Sequence, residues 1–238
     1  RAWNEHTYLH RYTDILKAIW GTVDVENEVV ELSLPCENNT LLKYKKWLDG
    51  SNDIKKELIL TIEHILETTP DFSKTLIVSS NHNDHLTKWL NNYDAKIDPT
   101  NSKIYHTLML RMLESMEEGI SMTPLEAFIE IYYDKETLKK IQFIDRRESY
   151  SICGIEVSQH GDKGANGSRG SAAQFAKASK KYVIGHSHSP RIERGVYQVG
   201  TSTNLLEYAD GLTSWANTHC VIYKNGTRQL ITIINGEW

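Results

Sequence analysis

Cysteine is sparse in these 238 residues: Cys36, Cys153 and Cys220 stand far apart and are odd in number. That argues against a disulfide framework and, with no zinc-finger spacing among them, for a reducing compartment. Long apolar runs are missing as well. No stretch approaches the roughly 20 residues that would span a bilayer, so no membrane association is expected. Basic excess is absent too: 27 Lys and Arg against 31 Asp and Glu leave a net charge of −4, which is not the uniform basic footprint of a dedicated nucleic-acid binder. There is no evident internal repeat or low-complexity segment. The chain opens on Arg1, with no initiator Met and no basic-then-apolar leader, and the expectation is that its natural N-terminus lies upstream. What is present, 39% hydrophobic and 24% charged residues, describes a globular chain with one sizeable core. One domain over 1–238 is expected, with a helical insertion or flank over about 21–70.

Apolar residues at helical spacing predict helices over Thr7–Trp20, Leu41–Trp47, Ile54–Thr68, His85–Asn92, Lys103–Glu118 and Leu125–Tyr133, the last opening on the cap pair Thr123-Pro124. Val23–Leu34 reads as either strand or helix. Thr75–Ser79 (TLIVS) reads as a buried strand, followed after residue 140 by strand-like Ile141–Ile144, Tyr150–Cys153 and Ile155–Val157. A glycine-rich loop from His160 to Gly170 leads into a helix over Ser171–Lys181 and a strand at Tyr182–Ile184. Gly195–Val199 and His219–Tyr223 are further strands, and Lys224-Asn225-Gly226-Thr227 is a hairpin turn into Gln229–Ile234.

Three times an apolar strand delivers a polar loop containing histidine: at Asn81-His82, at His160, and at His186-Ser187-His188. Sites in α/β proteins collect beyond the carboxyl ends of strands, where side chains from separate strands converge. A single loop histidine is more often solvated than ligating. The pair His186 and His188 is more specific, because alternate residues of an extended segment point the same way and two imidazoles can share a metal centre.

In order and context, Ser80-Asn81-His82-Asn83-Asp84, then His160 in Ser158-Gln159-His160-Gly161, then Gly185-His186-Ser187-His188 resemble the last three motifs of the calcineurin-like metallophosphoesterase superfamily. The resemblance runs from about Leu76 to Gly200. It implies an α/β fold (an α+β sandwich) of two packed mixed β-sheets flanked by helices. It also implies two divalent cations, manganese first, with iron, zinc or magnesium as alternatives. By that resemblance Asn81, His160 and His186 would ligate the second metal and His188 the first, while His82 would not ligate but protonate the leaving oxygen. Two such cations, roughly 3.5–4 Å apart, clamp a phosphoryl group for in-line attack.

The sequence departs from the family in three places. The acidic residue expected directly after the motif histidine is Asn83, so Asp84, one place later, is the candidate to orient His82. The leading glycine of that motif is Ser80. Neither an Asp-x-His nor a Gly-Asp-x-x-Asp motif precedes Ser80, and the expectation is that both lie upstream, so that this chain lacks the N-terminal part of the domain and binds two metals poorly by itself.

Between Gly161 and Arg194 the basic residues Lys163, Arg169, Lys177, Lys180, Lys181, Arg191 and Arg194 face only Asp162 and Glu193. Lys163 and Arg169 are candidate phosphate contacts. This local tilt, with the texture of the loops, makes the nearest resemblance that to phage early nucleases that degrade DNA. A manganese-dependent DNA nuclease is therefore the first expectation, with DNA as partner and the host cytoplasm as location. A phosphomonoesterase or small-molecule phosphodiesterase would use the same metals, and a non-catalytic scaffold with a degenerate site is the reading from another class. Met109, Met112 and Met116 lie on one helical stripe, which suggests either core or a homo-oligomer contact.

Overall fold

The computed structural model describes residues 48, 52–92, 98–145, 147–202 and 212–234. The helices expected over Thr7–Trp20 and Leu41–Trp47, and the ambiguous Val23–Leu34, lie outside them. The described residues fall into two compact units. One comprises 48, 52–77, 81–92 and 98–143, the other 78–80, 144–145, 147–202 and 212–234.

The first unit is mainly helical: α1 (Ile54–Thr68), α2 (Asn83–Asn92), α3 (Pro99–Glu117), α4 (Pro124–Tyr132) and the short α5 (Lys135–Lys139). Several boundaries have a local cause. Asp53 caps α1 by accepting from the Lys56 N–H at 3.0 Å, and Asp98 with Pro99 starts α3. Thr123 and Glu126 exchange reciprocal hydrogen bonds in a capping box at α4, so the cap expected from Thr123-Pro124 is present. The α3 helix ends in a Schellman motif: Gly119, at φ +70°, donates to the Met116 carbonyl, and Ile120 donates to that of Ser115 at 2.8 Å. Leu58, Ile62 and Ile65 of α1, Ile104 and Leu108 of α3, and Phe128 and Ile129 of α4 form one core. Buried Asn101 ties α3 to the start of α1, accepting from the Ile54 N–H and donating to the Asn52 carbonyl. The methionine stripe divides, since Met109 and Met112 pack on this core while Met116 is exposed.

Strand β1 (Thr75–Val78) pairs with β2 (Ile141–Ile144). The second unit is built on a mixed five-stranded sheet in the order β3-β4-β5-β7-β6, from β3 (Ser151–Ile152), β4 (Ile155–Glu156), β5 (Tyr182–Ile184), β6 (Arg191–Glu193) and β7 (Val196–Gln198). Strands β4, β5 and β7 are parallel, with Glu156 opposite Tyr182 and Ile184 opposite Gln198. The two-residue period of β5 explains the layers on either side. Tyr182 and Ile184 pack with Ala172 and Phe175 of α6 (Ala172–Ala176), whereas Val183 packs with Ile155 and Val157, flanked by Cys220 and Ile222 of β8. Strands β8 (Asn217–Ile222) and β9 (Arg228–Ile233) form an antiparallel hairpin, whose expected turn places Gly226 at φ +77°.

Mixed sheets and helices make this an α/β chain. One sequence expectation is corrected here. The helix over Ser171–Lys181 stops at Ala176, and Ser179, at φ +54°, turns the chain toward β5. The short β6 carries no strand signal in the sequence, because its three mostly exposed residues find their partner only by folding back through Arg194-Gly195, both at positive φ, onto β7. Among the described residues no helix is long and apolar enough to cross a membrane.

Burial of His219 on β8 pushes its imidazole down to about 4. The unfolded chain, with an ordinary imidazole, binds more protons between that value and about 6.5, so this contribution to stability is complete above pH 6.5 and fades as the pH falls. Urea unfolding at pH 7.5 and pH 4.5 should show a loss on the order of 2–3 kcal/mol from this group. In His219→Gln the pH slope should flatten by that amount; an unchanged slope would mean that His219 titrates normally in the fold.

Candidate functional site

Strands β4 and β5 are neighbours and parallel, so the loops leaving their carboxyl ends start side by side. His160 follows β4 and Gly185-His186-Ser187-His188 follows β5. The Gly185 N–H donates to the His160 carbonyl at 2.8 Å, which sets the two loops in register. The imidazoles then face each other: His160 Nε2 lies 3.2 Å from His186 Nδ1, with the rings at 77°. His160 is buried.

The segment after β5 is not extended, so strand alternation is not what orients its two histidines. His186 and His188 both take left-handed φ, +72° and +58°, conformations in which histidine is over-represented among non-glycine residues. Their neighbours hold them there. The buried amide of Gln198, at the end of β7, donates to Ser187 Oγ and to the Ser189 carbonyl at 2.6 Å. Residues 212–216 close the other side. Ser214 Oγ meets Ser189 Oγ at 2.7 Å, the Ala216 N–H donates to the His188 carbonyl at 3.2 Å, and the Trp215 ring stands edge-on to His188 at 4.7 Å. Burial first, and then the neighbouring His186, lower the pKa of His188. That favours the neutral imidazole, which keeps a lone pair for a ligand.

The glycine-rich loop beside them is folded back on itself. Gly170 donates to the Asp162 carbonyl at 2.8 Å and Gly164 to the Ser168 carbonyl at 2.8 Å, with Lys163 and Arg169 on one antiparallel rung. Both basic side chains are exposed. Gly161, at φ +111°, lies so close to the Gly185 carbonyl that a Cβ there would stand 3.0 Å from its oxygen. Lys163, with Arg147, Gln159, Lys180 and Tyr182, also lines a cavity of about 290 Å³.

Glu156 forms part of that cavity wall and is buried. Burial works to raise its pKa, but hydrogen bonds from the Ser149 and Ser158 hydroxyls and from the Tyr150 N–H outweigh it, and the carboxyl is held below its ordinary range. Ser158 Oγ also reaches the Glu148 carbonyl at 2.8 Å. This network fastens the 148–150 segment to the strand that delivers His160.

Asn81, His82 and Asp84 belong to the helical unit. Asn81 and His82 form the turn after β1, and Asp84 stands in the first turn of α2, where a carboxylate complements the helix dipole. The His82 and His85 rings lie 5.5 Å apart, and the His82 carbonyl accepts from the His85 N–H. Among the described residues no three His, Cys, Asp or Glu side chains gather as a metal cluster; the sheet unit brings together the pair His160 and His186. Gln198, Trp215 and Glu156 were missed by sequence reasoning. A polar residue embedded in an apolar strand, as in Ile155-Glu156-Val157 and Tyr197-Gln198-Val199, is the signal that would have found two of them.

Compared with known proteins, the chain is 35% identical over 204 residues to Protein A1 of Escherichia phage T5, an alignment covering 82% of this chain and 35% of that protein. The chain is thus similar to a phage protein. It spans about a third of the length of the curated relative it matches. No protein-family profile and no solved structure matches it.

Proposed function

We propose that this chain carries part of the catalytic centre of a divalent-metal phosphoester hydrolase, a manganese-dependent DNA nuclease of phage type. The observation that carries the reading is the facing of His160 Nε2 and His186 Nδ1 at 3.2 Å at the ends of adjacent parallel strands. Two nitrogens each about 2.1 Å from one cation stand roughly 3.0 Å apart in octahedral and about 3.4 Å apart in tetrahedral coordination. The observed separation lies between these, so the donor pair fits a shared ion.

In this reading His160 and His186 would hold one cation and His188 would serve a second. When bound, the metals supply Lewis acidity toward a phosphodiester. The remaining work falls to the chain itself. Gln198 and the 212–216 segment keep His186 and His188 in their left-handed conformations, so little reorganisation is needed on ligation. Lys163 and Arg169, side by side and exposed, meet the phosphates that flank the scissile bond. The family resemblance assigns His82, with Asp84, the role of proton donor to the leaving oxygen. The similarity to a phage protein supports the phage assignment, and the local basic excess supports a polyanionic substrate.

The test is manganese-dependent hydrolysis by the full-length protein, comparing linear duplex DNA with p-nitrophenyl phosphate and a bis-ester analogue. DNA cleavage that falls by about 100-fold or more in His82→Ala, the scale of a lost general acid, is the expected result. Turnover of the small esters alone would replace the nuclease with a phosphatase, and metal binding without any turnover would leave a scaffold.

A further inference from the structure

The α3 helix buries Ile104 and Leu108 in the helical unit, while Lys103, His106, Leu110, Leu113 and Glu117 are all exposed on its outer side. Their spacing alternates three and four residues, which is the seam of a helix pair. Leu110 is 59% and Leu113 50% exposed at its centre. Two leucines one turn apart are a poor choice for a solvated helix face, where strong polar helix formers would serve.

The charges on this helix are also placed against its own dipole. The first turn has no acidic residue and the last turn no basic one. Glu114, Glu117 and Glu118 sit instead at the carboxyl end and Lys103 near the amino end. Each disfavours an isolated helix by a few tenths of a kcal/mol. Arg111 relieves part of this by pairing with Glu118 and Glu130, but Glu114 and Glu117 remain exposed. A partner helix running antiparallel would remove the conflict, because its positive amino end would meet this acidic carboxyl end.

We infer that the exposed α3 seam is a two-fold interface on which a second copy of this chain docks, helix against antiparallel helix. A two-fold axis passing between Arg111 and Met112 puts Leu110 on the partner's Leu113, and Leu113 on the partner's Leu110. The same axis sets His106 against the partner's Glu117, with Lys103 one turn further along. The surface is therefore complementary to itself, as an isologous contact requires. Parallel pairing would set Glu117 on Glu117 and Lys103 on Lys103, so charge specifies the direction. The seam belongs to Leu110 and Leu113, not to Met109 and Met112, which face the core.

Sedimentation velocity on the full chain from 1 to 200 µM is the test. A reversible monomer–dimer equilibrium is expected, and Leu110→Glu or Leu113→Glu should weaken it at least about tenfold, as a buried unpaired charge at an interface centre does. Both positions are exposed in the monomer, so far-UV circular dichroism and the melting temperature should stay near wild type. Glu117→Lys should weaken the dimer, and adding His106→Glu should restore it, because the two positions face each other across the axis. A wild-type chain that stays monomeric at 200 µM, a dimer that survives either leucine substitution, or a charge swap that fails to rescue would each overturn the inference.

Discussion

Manganese affinity should fall by about 100-fold or more when His186 is replaced by alanine, and by a similar factor for His160→Ala, because loss of a direct ligand exceeds the 10–100-fold cost of losing a residue that merely supports one. Titration calorimetry, or the electron paramagnetic resonance signal of free Mn(II), reads this without an activity assay. The two ring nitrogens approach to 3.2 Å, so in the proposed site each substitution would remove one of two donors to a shared ion. The double variant should then be little worse than either single one, the non-additivity expected of residues that act on a shared partner. His160 is buried, so His160→Ala also opens a small cavity, and its melting temperature must be recorded beside its affinity. His186 is less enclosed and gives the cleaner result. If manganese binds both variants as well as it binds the parent, the pair is a structural hydrogen bond between imidazoles, and the hydrolase reading loses its support.

The second large effect is expected from Gly170→Ala, a single added methyl group. A Cβ at Gly170 would fall 1.7 Å from the Gly161 carbonyl oxygen and 2.8 Å from the Asp162 carbonyl carbon. Both are backbone atoms, so no side chain can rotate away to make room. The loop must open, giving up the hydrogen bond from Gly170 to Asp162 and the rung that aligns Lys163 with Arg169. Gly161, the residue displaced, packs on Gly185 immediately before His186, so the disturbance passes directly to the histidine pair. A destabilisation of about 3 kcal/mol or more is expected, the range of overpacked or strained sites, together with weaker manganese binding. Gly167→Ala is the internal comparison. Its Cβ would meet nothing within 4 Å, so only the cost of a positive φ at +74° remains, about 1 kcal/mol. Equal unfolding midpoints for the two variants in a denaturant series would show that the loop is open enough to absorb either change.

Much of this was legible in the sequence, because it depended on neighbours in the chain. Helices over Ile54–Thr68 and Leu125–Tyr133 could be read from apolar spacing, the second also from its Thr123-Pro124 cap. The strand at Tyr182–Ile184 and the hairpin at Asn225-Gly226 could be read from runs and turn chemistry that act over a few residues. The candidate histidines stand out for a similar reason, as polar residues just beyond apolar strands. What could not be read was how the site residues are oriented. An extended His186-Ser187-His188 was the natural reading of the text. The left-handed turns that replace it are imposed by Gln198, from a strand that follows in sequence but adjoins β5 in the sheet, and by Ser214 and Ala216 from further along the chain.

The sequence alone determined where many of the helices and strands form, the loops that carry histidine, and the residue types available to bind a metal and phosphates, since each is set by local backbone preference and side-chain chemistry. Tertiary structure decided which of those residues meet. Parallel pairing of β4 with β5 brought His160 to His186 across 26 positions of chain. Packing turned Met109 and Met112 inward and left Leu110 and Leu113 outward. The physical reason is the same in both cases: strand pairing and helix packing are chosen by the apolar area the whole fold can bury, a quantity that no short window of sequence contains.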